Sequence, residues 1–244
     1  MKKVTSLIVL GFAAACSSAD KVYVPLNGAG TTALATTVAG ASATLDRDTN
    51  TLTYNGETGQ INAAGDTVTF ASGATMALSG TDSEYARLFV LSGANPTIGA
   101  YGVNTARRDI PNGMASFEGD SILVVTSTDG IFDLTGDVTA NVDFNADDAS
   151  VTLDNLSGTL ATGLSAPSAV SDFGTVEISG IEMTDGALTG GSTQVTTDQT
   201  NAFDGAIDGG VSASMFGPNA EEVAGSVNAT GDDGALTGGF IANR

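Results

Sequence analysis

Leu134-Thr135-Gly136-Asp137-Val138-Thr139-Ala140-Asn141-Val142-Asp143-Phe144 alternates without a break. Leu134, Gly136, Val138, Ala140, Val142 and Phe144 share one side, and Thr135, Asp137, Thr139, Asn141 and Asp143 the other. Successive side chains of an extended chain point to opposite faces, so this spacing specifies a strand with one apolar and one polar face. The pattern returns with Phe203, Gly205, Ile207, Gly209, Val211, Ala213 and Met215 set against Asp204, Asp208, Ser212 and Ser214. Val151/Leu153, Val176/Ile178, Val223/Gly225/Val227 and Leu236/Gly238/Phe240 continue it. The phase slips between Ile178 and Ile181, near Gly180, which predicts a bulge. Turn residues punctuate the runs at Ser127-Thr128-Asp129-Gly130, Asn145-Ala146-Asp147-Asp148, Thr184-Asp185-Gly186 and Gly231-Asp232-Asp233-Gly234. About eight strands at hairpin spacing between residues 114 and 244 predict an up-and-down barrel. The small residues on its apolar face suit a narrow interior filled by side chains.

Upstream the grain is finer. Lys21-Val22-Tyr23-Val24, Ala43-Thr44-Leu45, Thr51-Leu52-Thr53-Tyr54 and Thr67-Val68-Thr69-Phe70 are short β-branched and aromatic runs between Asn, Asp and Gly clusters, as in a small sheet domain. Tyr85-Ala86-Arg87-Leu88-Phe89-Val90-Leu91 is the most apolar stretch here and reads as a central strand. Residues 92–113, with Pro96 and Pro111, read as a linker carrying a strand or two. The expected fold is therefore all-β, with a tether and small β handle domain over residues 16–112. A soluble eight-stranded antiparallel β-barrel is expected to follow over residues 113–244. A membrane-spanning barrel alternates in the same way with its apolar side outward. The absence of Trp, the presence of only four Tyr to form girdles, and the terminal Arg244 favour the soluble form.

Composition narrows the chemistry. Of 244 residues, 28 are acidic, 8 are Lys or Arg, none is His and one is Cys. Without His there is no Ser-His-Asp or Cys-His catalytic set and no His-ligated zinc or haem. A single Cys forms neither an internal disulfide nor a Cys-rich metal cluster. A net charge of −20 opposes nucleic acid, whose phosphates need a basic surface, and opposes electrostatic docking on an anionic membrane. No catalytic residues, no metal site and no cofactor are therefore expected.

The amino terminus reads as an address. Lys2 and Lys3 precede an uncharged run, residues 4–15, that ends Phe12-Ala13-Ala14-Ala15-Cys16. A basic start, a short apolar run and small residues describe a secretory signal peptide over residues 1–15, well short of the ~20 residues a spanning helix needs. Ala13-Ala14-Ala15-Cys16 resembles the lipobox of bacterial lipoproteins, although Ala13 stands where Leu is usual. The resemblance implies that Cys16 is the lipidation site, acylated with fatty chains such as palmitate. Ser17, where Asp would signal inner-membrane retention, points to the outer membrane. Stable anchoring takes at least two acyl chains, and lipoprotein processing supplies more than one. Removing residues 1–15, with Lys2 and Lys3, takes the formal charge from −20 to −22.

The last 29 residues are the most specific. Phe216-Gly217-Pro218-Asn219-Ala220-Glu221-Glu222-Val223-Ala224-Gly225 resembles the signature hairpin of the transferrin-binding protein B family of surface lipoproteins. In that family a Gly-Pro-x-Ala-x-Glu turn leads into the closing strands, and the chain ends in a Phe-Gly-Ala-Lys-Arg-like pentapeptide. The ending here is Phe240-Ile241-Ala242-Asn243-Arg244. Gly102-Val103-Asn104-Thr105, running through Asp109-Ile110-Pro111 to Gly113-Met114-Ala115-Ser116-Phe117-Glu118-Gly119, is similar to the family's entry into the barrel. The resemblance implies a lobe made of a β handle and an eight-stranded barrel. It also implies surface exposure and capture of iron-carrying proteins, haem proteins or other partners through loops. The sequence departs from the transferrin binders in having one lobe and few aromatic residues to anchor an interface. Haem ligation would fall to a Met or to Tyr23, Tyr54, Tyr85 or Tyr101, none of which the sequence singles out. Read by itself, the hairpin is structural: Pro218 fixes φ, Asn219 caps the turn, and Glu221 and Glu222 lie near its amide end.

Other motifs are weaker. Asp46-Arg47-Asp48-Thr49-Asn50-Thr51 with Glu57 matches part of an EF-hand loop, but Thr51 stands where Gly is required and the flanks read as strands, so a hairpin turn is expected. The Gly-Gly steps at 190–191, 209–210 and 238–239 precede no helix. Paired carboxylates of the glycosidase type remain open with 28 acids present, although most lie at turns or on polar strand faces. The leading expectation is a non-enzymatic, lipid-anchored outer-membrane protein, at the cell surface or facing the periplasm, that captures a protein or small solute, with a basic patch on its partner. The alternative is a structural coat lipoprotein without a specific ligand.

Overall fold

The computed structural model describes residue 26 and residues 29–244 except 81, 94–95, 129, 164–165, 200–201 and 203–204. The leader, Cys16 and the run 21–24 lie outside the described residues, as do Asp129, Phe203 and Asp204.

The first unit is a meander of β1 (Thr31–Thr36), β2 (Ala43–Asp46), β3 (Thr51–Tyr54), β4 (Glu57–Ile61), β5 (Thr67–Phe70), β6 (Thr75–Ser79), β7 (Ala86–Ser92) and β8 (Thr97–Gly102). Each strand pairs antiparallel with the next, and β1 returns to β8 through Ala35↔Gly102 and Thr36↔Tyr101. The handle-like unit is thus itself a closed barrel. The strand expected within the Gly- and Pro-containing passage is β8, which forms the seam. Inward side chains build a core from Leu45, Leu52, Tyr54, Val68, Phe70, Met76, Phe89 and Tyr101. Phe89 sits at its centre, edge-on to Tyr54 at 5.4 Å and stacked on Tyr101 at 6.1 Å.

The EF-hand-like stretch forms the β2–β3 hairpin turn. Asp46 Oδ1 accepts the backbone N–H groups of Asp48 and Thr49 at 3.0 and 3.1 Å, and Asn50 takes a left-handed φ of 53°. Glu57, the would-be twelfth ligand, accepts the Ser72 N–H at 2.6 Å instead.

After a 3₁₀ turn at Arg107–Asp109 the second unit runs β9 (Met114–Ser127), β10 (Ile131–Asp143), β11 (Asp148–Ala161), β12 (Ser168–Val170), β13 (Thr175–Thr184), β14 (Ala187–Gly190), β15 (Ser192–Thr196), β16 (Gly205–Phe216), β17 (Glu222–Gly231) and β18 (Gly234–Asn243). β18 pairs with β9 from Gly234↔Ser127 to Asn243↔Glu118 and closes the barrel. β14 and β15 both bridge β13 to β16 and occupy one wall position, broken at Gly191, while β12 is a flap on β11. The wall therefore has eight positions.

The alternation read from 134–144 holds: Leu134, Val138, Ala140, Val142 and Phe144 are buried, while Thr135, Asp137 and Asn141 are exposed. The barrel is apolar within and polar without, the reverse of a membrane-spanning one. At the expected bulge, Ala149↔Ile181 gives way to Val151↔Ile178, so Ser179 and Gly180 oppose Ser150 alone, with Gly180 at φ 66°. Among the described residues there is no α-helix.

Candidate binding surfaces and the barrel junction

The two barrels touch along a buried seam that the alternation alone did not reveal. On β7, Arg87 and Phe89 point into the first barrel, while Ala86 and Leu88 point out of it and join Tyr85, Ala100, Phe216, Ala224 and Ile241 in a separate apolar cluster. β17 is buried on both faces for the same reason, from Glu222 through Val227. Glycines permit the close approach. A Cβ at Gly102 would lie 2.7 Å from the Phe216 ring, and one at Gly239 would lie 2.6 Å from Leu88. The sequence held a signal for this seam: Ala224 and Ile241 are apolar on strand faces that should be polar, and 85–91 is apolar on both but for Arg87.

The hairpin with the family-like sequence is the clasp of this seam. Phe216 enters the apolar cluster, and Asn219 and Ala220 turn the chain at φ 55° and 54°. Gly217 adopts φ 76°, and a Cβ there would lie 2.4 Å from the Tyr85 ring. Its N–H donates to the Val103 carbonyl at 2.9 Å, and its carbonyl accepts the Thr105 hydroxyl at 2.8 Å. Glu222 is buried and reaches into the first barrel, where its two oxygens accept the N–H groups of Glu84 (2.7 Å) and Tyr85 (3.1 Å). Burial pushes the Glu222 carboxyl above the usual range, against the opposing pull of those amides and the Arg87 charge. The expectation that the hairpin is structural thus meets a larger role, because it couples one barrel to the other.

Tyr54, Tyr85 and Tyr101 are all buried, and burial pushes each phenol up, Tyr85 to about 12 with Glu221 and Glu84 adding to it. None presents an accessible phenolate for haem; Tyr23 lies outside the described residues. No group of three or more His, Cys, Asp or Glu side chains is placed to hold a metal among the described residues. Several carboxylates face each other across strand pairs (Asp137/Asp154, Asp143/Asp148 and Asp148/Glu182), and a further pair, Asp120 and Asp137, lies on the wall of a groove of about 430 Å³ beside the seam. Both are exposed, and the Asn155 amide donates to Asp137 at 2.7 Å, so solvation accounts for them. In the 3₁₀ turn, Arg107 pairs with Asp185 at 2.9 Å, and because both side chains are exposed the pair contributes little.

Two antiparallel barrels joined by this clasp make up one lobe, and solved structures share that fold. The sequence matches no protein-family model and no curated protein. The structure is similar to a single-site mutant of transferrin binding protein B from Haemophilus parasuis Hp5, with TM-score 0.56, 17% identity, 87% of this chain covered and 44% of that one. It is similar also to isotype 1 transferrin binding protein B from serogroup B Neisseria meningitidis, with TM-score 0.54, 18% identity, and 88% and 43% covered. The chain spans under half the length of these proteins. Its fold is that of a transferrin-binding-protein-B-like lobe.

Proposed function

We propose that this chain is a lipid-anchored binding protein on the outer-membrane surface, tethered through Cys16, which captures a protein or small solute through the loops of its barrels and catalyses no reaction on it. On this reading residues 1–15 are the cleaved leader, 16–112 the tether and first unit, and 113–244 the second barrel. The likeness to lobes of transferrin binding protein B carries the proposal. The lipobox-like Ala13-Ala14-Ala15-Cys16 and the acidic, polar barrel exteriors support it.

The surface charge gives the partner its character. A body of formal charge near −20 steers a basic patch toward it and slows approach as salt screens the field. Protease treatment of intact cells is expected to digest the chain, and mass analysis to find acyl groups on residue 16. Full protection from protease would remove surface display. The on-rate of a captured partner is expected to fall severalfold as ionic strength rises from about 0.05 to 0.5 M; a flat response would remove the basic partner.

One observation favours the coat reading. Among the described residues the only large exposed hydrophobics are Met114 and Ile131, few anchors for a protein interface. A deletion strain that grows normally under iron limitation, with no partner recovered by affinity capture, would support the coat.

A further inference from the structure

The first barrel has a cavity at the end where the chain enters and leaves it, ringed by the β2–β3 and β4–β5 turns. It measures about 280 Å³ and is lined by Leu26, Leu45, Ile61, Leu78, Tyr101, Asn50, Gly65, Arg47 and Arg87. Its charge inverts that of the molecule. The chain has 28 acids and 8 cationic residues, yet among the described residues two guanidiniums and no carboxylate line this space.

Arg87 is the more unusual of the pair, since an inward-facing guanidinium on a barrel strand has to be desolvated. It is 9% exposed. Its Nη1 donates to the carbonyls of Ser83 and Ala86, the latter at 2.7 Å, and no ion-pair partner stands beside it among the described residues. Burial lowers its pKa against the opposing pull of Tyr101, Glu222 and Asp82. Its Nε and Nη2 make no hydrogen bond to a described residue. A buried cation of this kind is costly unless something anionic meets it. Arg47 is fixed at the rim, with Nε donating to Leu26 O at 2.9 Å and Nη1 to Gly30 O at 3.2 Å and Thr32 Oγ1 at 2.8 Å. Tyr101, 2% exposed, stacks on Phe89 and makes no hydrogen bond to a described residue, so its hydroxyl is free to donate. The remaining wall is aliphatic.

We propose that this cavity is a binding site for a small organic monocarboxylate with an aliphatic body, its carboxylate held by Arg87 and the Tyr101 hydroxyl beside the positive charge of Arg47, and its chain lying among Leu26, Leu45, Ile61 and Leu78. The cationic end supplies charge-assisted hydrogen bonds in a water-poor setting. The volume, near the lower end of the ~300–1,000 Å³ of small-molecule pockets, sets the size of the ligand. The site lies inside the barrel and is separate from the acidic exterior that faces a protein partner.

The test uses the chain from residue 16 onward carrying Cys16→Ser, titrated calorimetrically with octanoate, octan-1-ol and inorganic phosphate. Octanoate is expected to bind at least about tenfold more tightly than either of the others, since each lacks one of the two recognised features. Carbon-13-labelled octanoate is expected to show magnetisation transfer to the Tyr101 ring. Arg47→Gln is expected to weaken octanoate about tenfold, while the exposed Arg108→Gln leaves it unchanged. If Arg47→Gln does not fold, the Tyr101 contact in the unsubstituted chain still decides the matter. Absence of octanoate binding, equal affinity for octanol or phosphate, or transfer to residues elsewhere would each overturn the proposal.

Discussion

Glu222 belongs to the second barrel by sequence and to the first by hydrogen bonding. Its folded-state pKa is raised by burial, so the folded chain holds its proton more tightly than the unfolded chain does. The contribution of this group to stability is then fully present below the ordinary Glu value and is withdrawn as pH rises through the raised one. Glu222→Gln removes the titration. The unfolding free energy of the natural chain minus that of the variant is therefore expected to decrease between about pH 4 and pH 7 in urea titrations. An increase would mean that the amides of Glu84 and Tyr85 outweigh desolvation and that the shift has the opposite sign. Sequence reasoning placed Glu222 near a turn but not against Glu84 and Tyr85, because nothing in the local pattern joins residues so distant along the chain.

At the scale of elements, two glycines interrupt neighbouring strands for different reasons. Gly180 forms the β13 bulge with open space where a Cβ would stand, so Gly180→Ala meets only the left-handed backbone and is expected to cost about 1 kcal/mol. Gly191, which breaks β14 from β15, sits at φ 104°, and a Cβ there would lie 2.7 Å from Ile178 Cγ2 and 3.0 Å from Ile181 Cγ1. Gly191→Ala is expected to cost about 3 kcal/mol, measured as a shift of the urea midpoint, through overpacking added to backbone strain. Equal effects would show that the two interruptions are alike. The bulge was legible because the alternation slips there. β1, β4 and β6 were not: β1 buries only Leu34, β4 only Gly59 and Ile61, and β6 only Met76 and Leu78. Such strands are held in place by pairing with their neighbours more than by their own propensity.

Across the whole molecule, the buried seam is expected to make the barrels unfold as one cooperative body. Ile241 is buried there, with its Cδ1 against Gly80. Ile241→Asp buries an unpaired carboxylate between β18 and the first barrel. Calorimetry of the natural chain is expected to show one unfolding transition, and that of the variant two, with new protease cleavage in residues 103–113. A single transition that merely moves to lower temperature would mean that the seam does not couple the barrels.

Alternation of apolar and polar residues, a property of each strand alone, sufficed to specify an all-β chain, the second barrel and the inward direction of its apolar face, because side-chain direction has period 2 in any extended segment. Closure of the first barrel through β8, the seam under Phe216 and Ile241, and the meeting of Arg47 with Arg87 around one cavity were decided only in three dimensions. Each depends on pairing between residues far apart in the chain, and a local period carries no information about which distant strand will supply the other face.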